Sequence, residues 1–135
     1  MKLIDKSLFK NVSRLKSQKV SKVTAQHPDL QKERWFKLSQ IERMANIGSE
    51  VIRSLKWNAK NNQEYANLAN LRALELFDLT LSDIKHSDGL KEIARCRELW
   101  LDYFVGKNHY HQTAKQWKKY FLAFNYAARN KRSNQ

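Results

Sequence analysis

Turn formers are nearly absent from this chain. Its 135 residues include one proline, Pro28, and three glycines, Gly48, Gly89 and Gly106. A β-sandwich changes direction roughly every 8–12 residues and needs Gly, Pro, Asn and Asp clusters to do so. Helices need no such material. Apolar residues here recur at spacings of three and four, the period of a helix with one buried stripe. At this length one domain is expected. The pattern predicts an all-α fold: an antiparallel up-and-down four-helix bundle with a basic N-terminal arm. Residues 1–28 form the basic amphipathic or flexible arm, 29–130 the bundle and 131–135 a frayed basic tail.

His27-Pro28-Asp29 marks a helix start, because proline suits the first helical position and acids suit the positive end of the helix dipole. One long helix is expected from there to Trp57. Its Leu38, Ile41, Ala45, Gly48, Ile52 and Leu55 make a seam, widened by Met44, Ile47 and Val51. Ala45, Gly48 and Ser49 are small enough for a neighbouring helix to come close. After a loop at Asn58 to Asn62, a second helix runs from Gln63 to Ile84, with Tyr65, Leu68, Ala69, Arg72, Leu76 and Leu79 on one face. Ser87 or Asp88 is expected to cap a third helix, Leu90 to Val105, which Gly106 stops. Thr113 and Gln116 fit a capping box opening the last helix, whose inner stripe is Trp117, Tyr120, Phe121, Phe124 and Ala128. Arg72 and Arg97 fall on apolar sides of their helices. A buried Arg must be paired, so a network with Glu75, Asp78, Glu98 or Asp102 is expected.

The distribution of charge is more informative than its total. The chain has 26 Lys and Arg against 13 Asp and Glu, a net charge of +13. Residues 1–28 carry +6, residues 29–106 are neutral, and residues 107–135 carry +7 with no acid at all. Basic ends flanking a neutral centre are the pattern of arms that meet a polyanion. Lys2, Lys6, Lys10, Arg14, Lys16 and Lys19 supply one set of phosphate contacts. Lys115, Lys118, Lys119, Arg129, Lys131 and Arg132 supply a second, with Tyr126 as a stacking surface. Tyr103 and Tyr110 also fall off the inner stripes. Bundle-rim tyrosines and plain solubility charge remain the alternative explanation.

The chemistry of other classes finds little footing. The single cysteine, Cys96, cannot form an intrachain disulfide, which points to a reducing, cytoplasmic setting. No signal-peptide core and no membrane-length apolar run is seen, so no membrane partner is expected. His109 and His111 flank Tyr110, but no third ligand stands beside them, so neither a metal nor another cofactor is expected. No Arg is followed by a His four to six residues on, as a helical-bundle ribonuclease would need. Cys96 has no histidine near it in sequence, and no Gly-rich phosphate loop is present. No catalytic residue is therefore assigned, and the chain is read as a binding protein, not an enzyme.

The function expected is binding of RNA, ahead of single-stranded or duplex DNA, as an accessory subunit of a nucleoprotein complex. The alternative is a homo-oligomeric interaction or assembly module serving a nucleic-acid-processing enzyme. In size, charge and helical architecture the chain resembles the small basic helical bundles that act as accessory subunits of ribonucleoproteins, among them retroelement accessory proteins. That resemblance implies an oligomer that binds a reverse transcriptase and its RNA. It rests on architecture, not on a shared residue motif.

Overall fold

The computed structural model describes residues 28–83 and 89–133, with side chains described for 32–83 and 89–130. Five helices follow one another: α1 Pro28–Lys37, α2 Gln40–Ala59, α3 Gln63–Leu81, α4 Leu90–Phe104 and α5 Ala114–Ser133. No strand occurs among the described residues. Arm residues 1–27, Ser87 and Asp88 lie outside them, and Pro28 is the first residue of α1. The N-cap of α4 is Gly89, which brings no side-chain cap, and not Ser87 or Asp88 as expected.

The long first helix expected from the periodicity is two helices. The break falls at Leu38–Ser39, and its cause is local. The Ser39 N–H donates to Glu42 Oε1 at 3.1 Å, and the Glu42 N–H donates to Ser39 Oγ at 3.2 Å. This reciprocal capping box starts α2 afresh inside an apolar pattern that looks continuous.

Arg43 then fixes the angle between α1 and α2. Its side chain is fully buried. Nε donates to the Trp35 carbonyl at 3.2 Å and Nη2 to the Phe36 carbonyl at 3.1 Å. These carbonyls lie in the last turn of α1, where intrahelical donors run out; the Trp35 carbonyl also accepts from the Leu38 N–H at 3.1 Å. Nη2 also meets Asp83 Oδ2 at 2.8 Å, beyond the end of α3. One guanidinium thus ties three helices at one corner. Trp35 plugs the same corner, with Nε1 donating to Thr80 Oγ1 at 3.0 Å.

Among the described residues Arg43, not Arg72 or Arg97, is therefore the buried arginine. Arg72 is 39% exposed and pairs with Glu50 at 3.2 Å, an acid outside the expected set. Arg97 pairs with Asp78 at 3.0 Å, as expected, at the edge of the core. The buried faces are also rotated from the expected ones. On α2 the core residues are Met44, Ala45, Ile47, Gly48, Val51 and Leu55, while Ile41 is exposed. On α3 they are Ala66, Ala69, Leu71, Ala73, Leu74 and Phe77, while Tyr65 is half exposed. Leucines surround α3, so several faces look apolar in sequence. The alanines decide the matter, because they let α2 come close.

Helix α2 lies between α3 and α5 and packs against both, and α3 packs in turn on α4. The α2–α5 contact is tight. A Cβ built on Gly48 would stand 2.7 Å from Phe121 Cβ, closer than any real side chain allows. The close approach expected at Gly48 is thus an internal one, and the site is occupied by this chain's own α5. Trp100, Trp117 and Phe121 are buried and continue the core between α4 and α5. Trp100 donates from Nε1 to Asn70 Oδ1 at 2.6 Å, which settles its buried indole N–H.

Candidate nucleic-acid interface

Helix α5 presents two different faces. Its start follows the expected capping box: the Gln116 N–H donates to Thr113 Oγ1, and the Thr113 N–H to Gln116 Oε1. With that register set, Trp117, Phe121 and Ala128 point into the core. Lys115, Lys118, Lys119, Leu122, Tyr126 and Arg129 are all exposed. They follow one another at spacings of one, three and four residues, so they form a single stripe along the outer side of the helix. Tyr126 is 69% exposed and Leu122 is 52% exposed. The structure therefore brings together Lys115, Lys118, Lys119, Tyr126 and Arg129. The α5 backbone stays helical through Lys131 and Arg132 to Ser133, but the side chains of those two lie outside the described residues. So do Lys2, Lys6, Lys10, Arg14, Lys16 and Lys19.

Not every surplus aromatic belongs to the surface. Tyr103 packs against Trp100 and Trp117, at ring-centroid distances of 5.8 and 6.3 Å. It serves the core, which corrects the expectation that it falls outside. Tyr110 is exposed at its loop, and Tyr120, expected in the core, is 44% exposed.

A cavity of about 570 Å³ opens between α4 and α5, within the roughly 300–1,000 Å³ typical of small-molecule sites. Sequence reasoning missed it. Helix α4 contributes Glu92, Arg95, Cys96 and Leu99 to its wall, and α5 contributes Gln116, Trp117 and Tyr120. The connecting loop adds Tyr110 and Gln112. Asn108 holds that loop in shape: its Nδ2 donates to the Gln112 carbonyl at 2.8 Å, and its Oδ1 accepts from the Gln112 N–H at 2.9 Å. Asn108 and His111 both adopt positive φ, 53° and 51°, a conformation few side chains take without support. Two atoms of the wall residues are buried without a hydrogen-bond partner: Trp117 Nε1, a donor, and Gln112 Oε1, an acceptor. Each such orphan costs about 1–3 kcal/mol. The one sequence signal for this cavity was the gathering of aromatics between residues 100 and 126.

Cys96 and Tyr120 both line this wall. Burial pushes the Cys96 thiol up to about 12, against a small opposing pull from the Tyr120 hydroxyl. Tyr120 is pushed up as well, by burial first and then by Cys96 and Glu92. A nucleophilic cysteine needs the opposite shift. His109 and His111 are exposed, and no group of three His, Cys, Asp or Glu among the described residues is placed to hold a metal ion. No helix among them is long and apolar enough to cross a membrane. Compared with protein-family models, curated proteins and solved structures, the chain matches none of them.

Proposed function

We propose that this chain is a non-enzymatic nucleic-acid-binding helical bundle, with RNA preferred to DNA, acting as an accessory subunit of a nucleoprotein complex. In this reading α2 to α5 run up and down as an antiparallel four-helix bundle, and residues 1–28 serve as a basic arm. The supporting observation is the outer stripe of α5. Lys115, Lys118, Lys119 and Arg129 share one exposed face with Tyr126, on a segment whose residues 107–135 carry +7 and no acid. Cations space phosphates along a strand, and an exposed ring between them stacks a base. Nothing in that geometry reads a sequence, so binding is governed by charge.

The test is salt dependence on a single strand. Four neutralised phosphates contribute a slope of about −3 in log K against log salt. The quadruple variant K115Q/K118Q/K119Q/R129Q is expected to lose that part of the slope and bind weakly. A slope near zero for the native chain, or one that the variant leaves unchanged, would sink the proposal.

A second reading is favoured by one observation, the exposed Leu122 beside Tyr126. Apolar surface in the middle of a basic stripe suits a protein contact, either a second copy or a nucleic-acid enzyme. Light scattering of nuclease-treated protein separates the two. Leu122→Glu dissociates an oligomer built on this face and leaves the monomer mass of a pure nucleic-acid binder unchanged.

A further inference from the structure

Three of the four tryptophans belong to the core: Trp35, Trp100 and Trp117 are all buried. Trp57, in the last turn of α2, is only half-buried. Its ring meets Tyr65 of α3 edge-on, with centroids 4.9 Å apart and planes at 83°. Tyr65 is itself 49% exposed. A ring pair that served only to close the turn between α2 and α3 would bury both members, since apolar area left in water adds no stability. Two large rings therefore stand partly open where α2 turns into α3.

The charge beside them is mostly of one sign. Lys56 and Lys60 are exposed, and neither pairs with an acid among the described residues. Lys60 Nζ lies 5.3 Å from the centroid of the Trp57 ring. Arg53 shares this face of α2 at helical spacing, but Glu50 holds it at 2.7 Å and also pairs with Arg72. Glu64, exposed at the start of α3, is the one acid between residues 51 and 65. The centre of the chain sums to zero, yet this stretch carries +2, from Arg53, Lys56 and Lys60 against Glu64. Cations in the last turn complement the helix dipole, which accounts for Lys56 without any ligand. It does not account for two open rings beside it. Open rings edged by ammonium groups are the elements of a single-strand contact, in which a ring stacks a base and a cation takes the phosphate next to it.

We propose that Trp57 and Tyr65 form a second single-strand site, which stacks one unpaired base and places its flanking phosphates on Lys56 and Lys60. This rests on the nucleic-acid reading above and extends it from α5 to the α2–α3 turn. The α5 stripe contains no tryptophan, so Trp57 fluorescence reports on the second site alone.

The experiment titrates the full chain with a single-stranded RNA of about twelve nucleotides, within the roughly 4–16 that one single-strand module covers, and follows tryptophan emission. The same titration is run with an abasic strand of equal length and with polyglutamate. The intact strand is expected to quench the emission and the abasic strand to bind without quenching. Trp57→Phe should abolish the quenching, which assigns it to this ring. Tyr65→Ala should weaken the intact strand about ten-fold, the scale of losing one stacked base, and leave the abasic strand unchanged. A merely structural role would weaken both alike. K56Q/K60Q should make the salt slope shallower by about 1.4, the share of two phosphates on a single strand. Binding without quenching overturns this site and leaves the α5 reading standing, and that titration needs no variant to fold. Quenching that survives Trp57→Phe, or an equal loss on both strands in Tyr65→Ala, overturns it as well. Polyglutamate that quenches as RNA does would assign the patch to an acidic peptide and overturn the base contact. No binding of either strand at low salt overturns both this proposal and the reading it rests on.

Discussion

Helix α5 touches its two neighbours in opposite ways. Against α2 it is sealed: Phe121 lies so close to Gly48 that no Cβ fits between them. Against α4 it stands apart, and the gap is bridged by rings at the bottom and left open above as a cavity of about 570 Å³. The sealed side gains dispersion and the burial of apolar surface. The open side keeps two buried polar atoms without partners. A helix pair that needed only stability would have closed that gap with apolar side chains, because unpaired buried polar groups are among the costliest local defects. The contrast separates the side of α5 that is closed on the fold from the side that is left open.

The largest effect should come from the corner that sets α1 against α2 and α3. Arg43→Ala removes the buried ion pair to Asp83 and the guanidinium donors to the Trp35 and Phe36 carbonyls. Losing one member of a buried pair costs about 3–5 kcal/mol, measured as a fall in the urea midpoint at neutral pH. A cost under about 1 kcal/mol, the value of an exposed pair, would show that this corner is not part of the sealed core.

Gly48→Ala probes the sealed contact directly. The added methyl must push Phe121 away, at about 1–3 kcal/mol. A neutral substitution there would show that the two contacts of α5 do not differ as described.

Alkaline pH tests the wall of the open side. The Cys96 thiol is held at about 12 in the folded state against 9.0 unfolded. An acid whose value rises on folding contributes stability below its unfolded value and loses it as pH climbs. Stability should therefore fall between pH 9 and about pH 12, by about 1 kcal/mol at pH 10. Tyr120 and Tyr103, both pushed up by burial, steepen the fall above pH 10. In Cys96→Ala the decline should begin later, in unfolding curves taken at successive pH values.

The smallest expected change is Gln112→Leu, which replaces an unpartnered acceptor with an apolar group. Its unfolding free energy should lie within about 1 kcal/mol of the native chain, on the stable side. A clear loss would mean that Gln112 Oε1 has a structural partner, and the contrast between the two sides would weaken.

Some of this was legible before any coordinates. Scarce turn formers and the three-four spacing of apolar residues demand helices, since strands need period two and frequent turns. Thr113 with Gln116 marks the start of α5, and the close approach at Gly48 follows from its lack of a side chain among large neighbours. The exposed stripe of α5 is a direct consequence of helical register, because Lys115, Lys118, Lys119, Tyr126 and Arg129 cannot turn inward while Trp117, Phe121 and Ala128 do.

The break at Ser39 carried its own signal, the Ser-x-x-Glu box, but an unbroken apolar pattern across it hid the boundary. Periodicity reports which residues share a face, not whether the axis bends. Local sequence determined the helices, their caps and the outward face of α5, since those depend on dihedral preference and on residues within one turn. Tertiary structure alone decided that Arg43 is buried, that α2 meets α5 at Gly48, and that Trp117 Nε1 and Gln112 Oε1 are buried and unpaired. Each of those depends on groups far apart in sequence, and only packing in three dimensions sets which of them a side chain reaches.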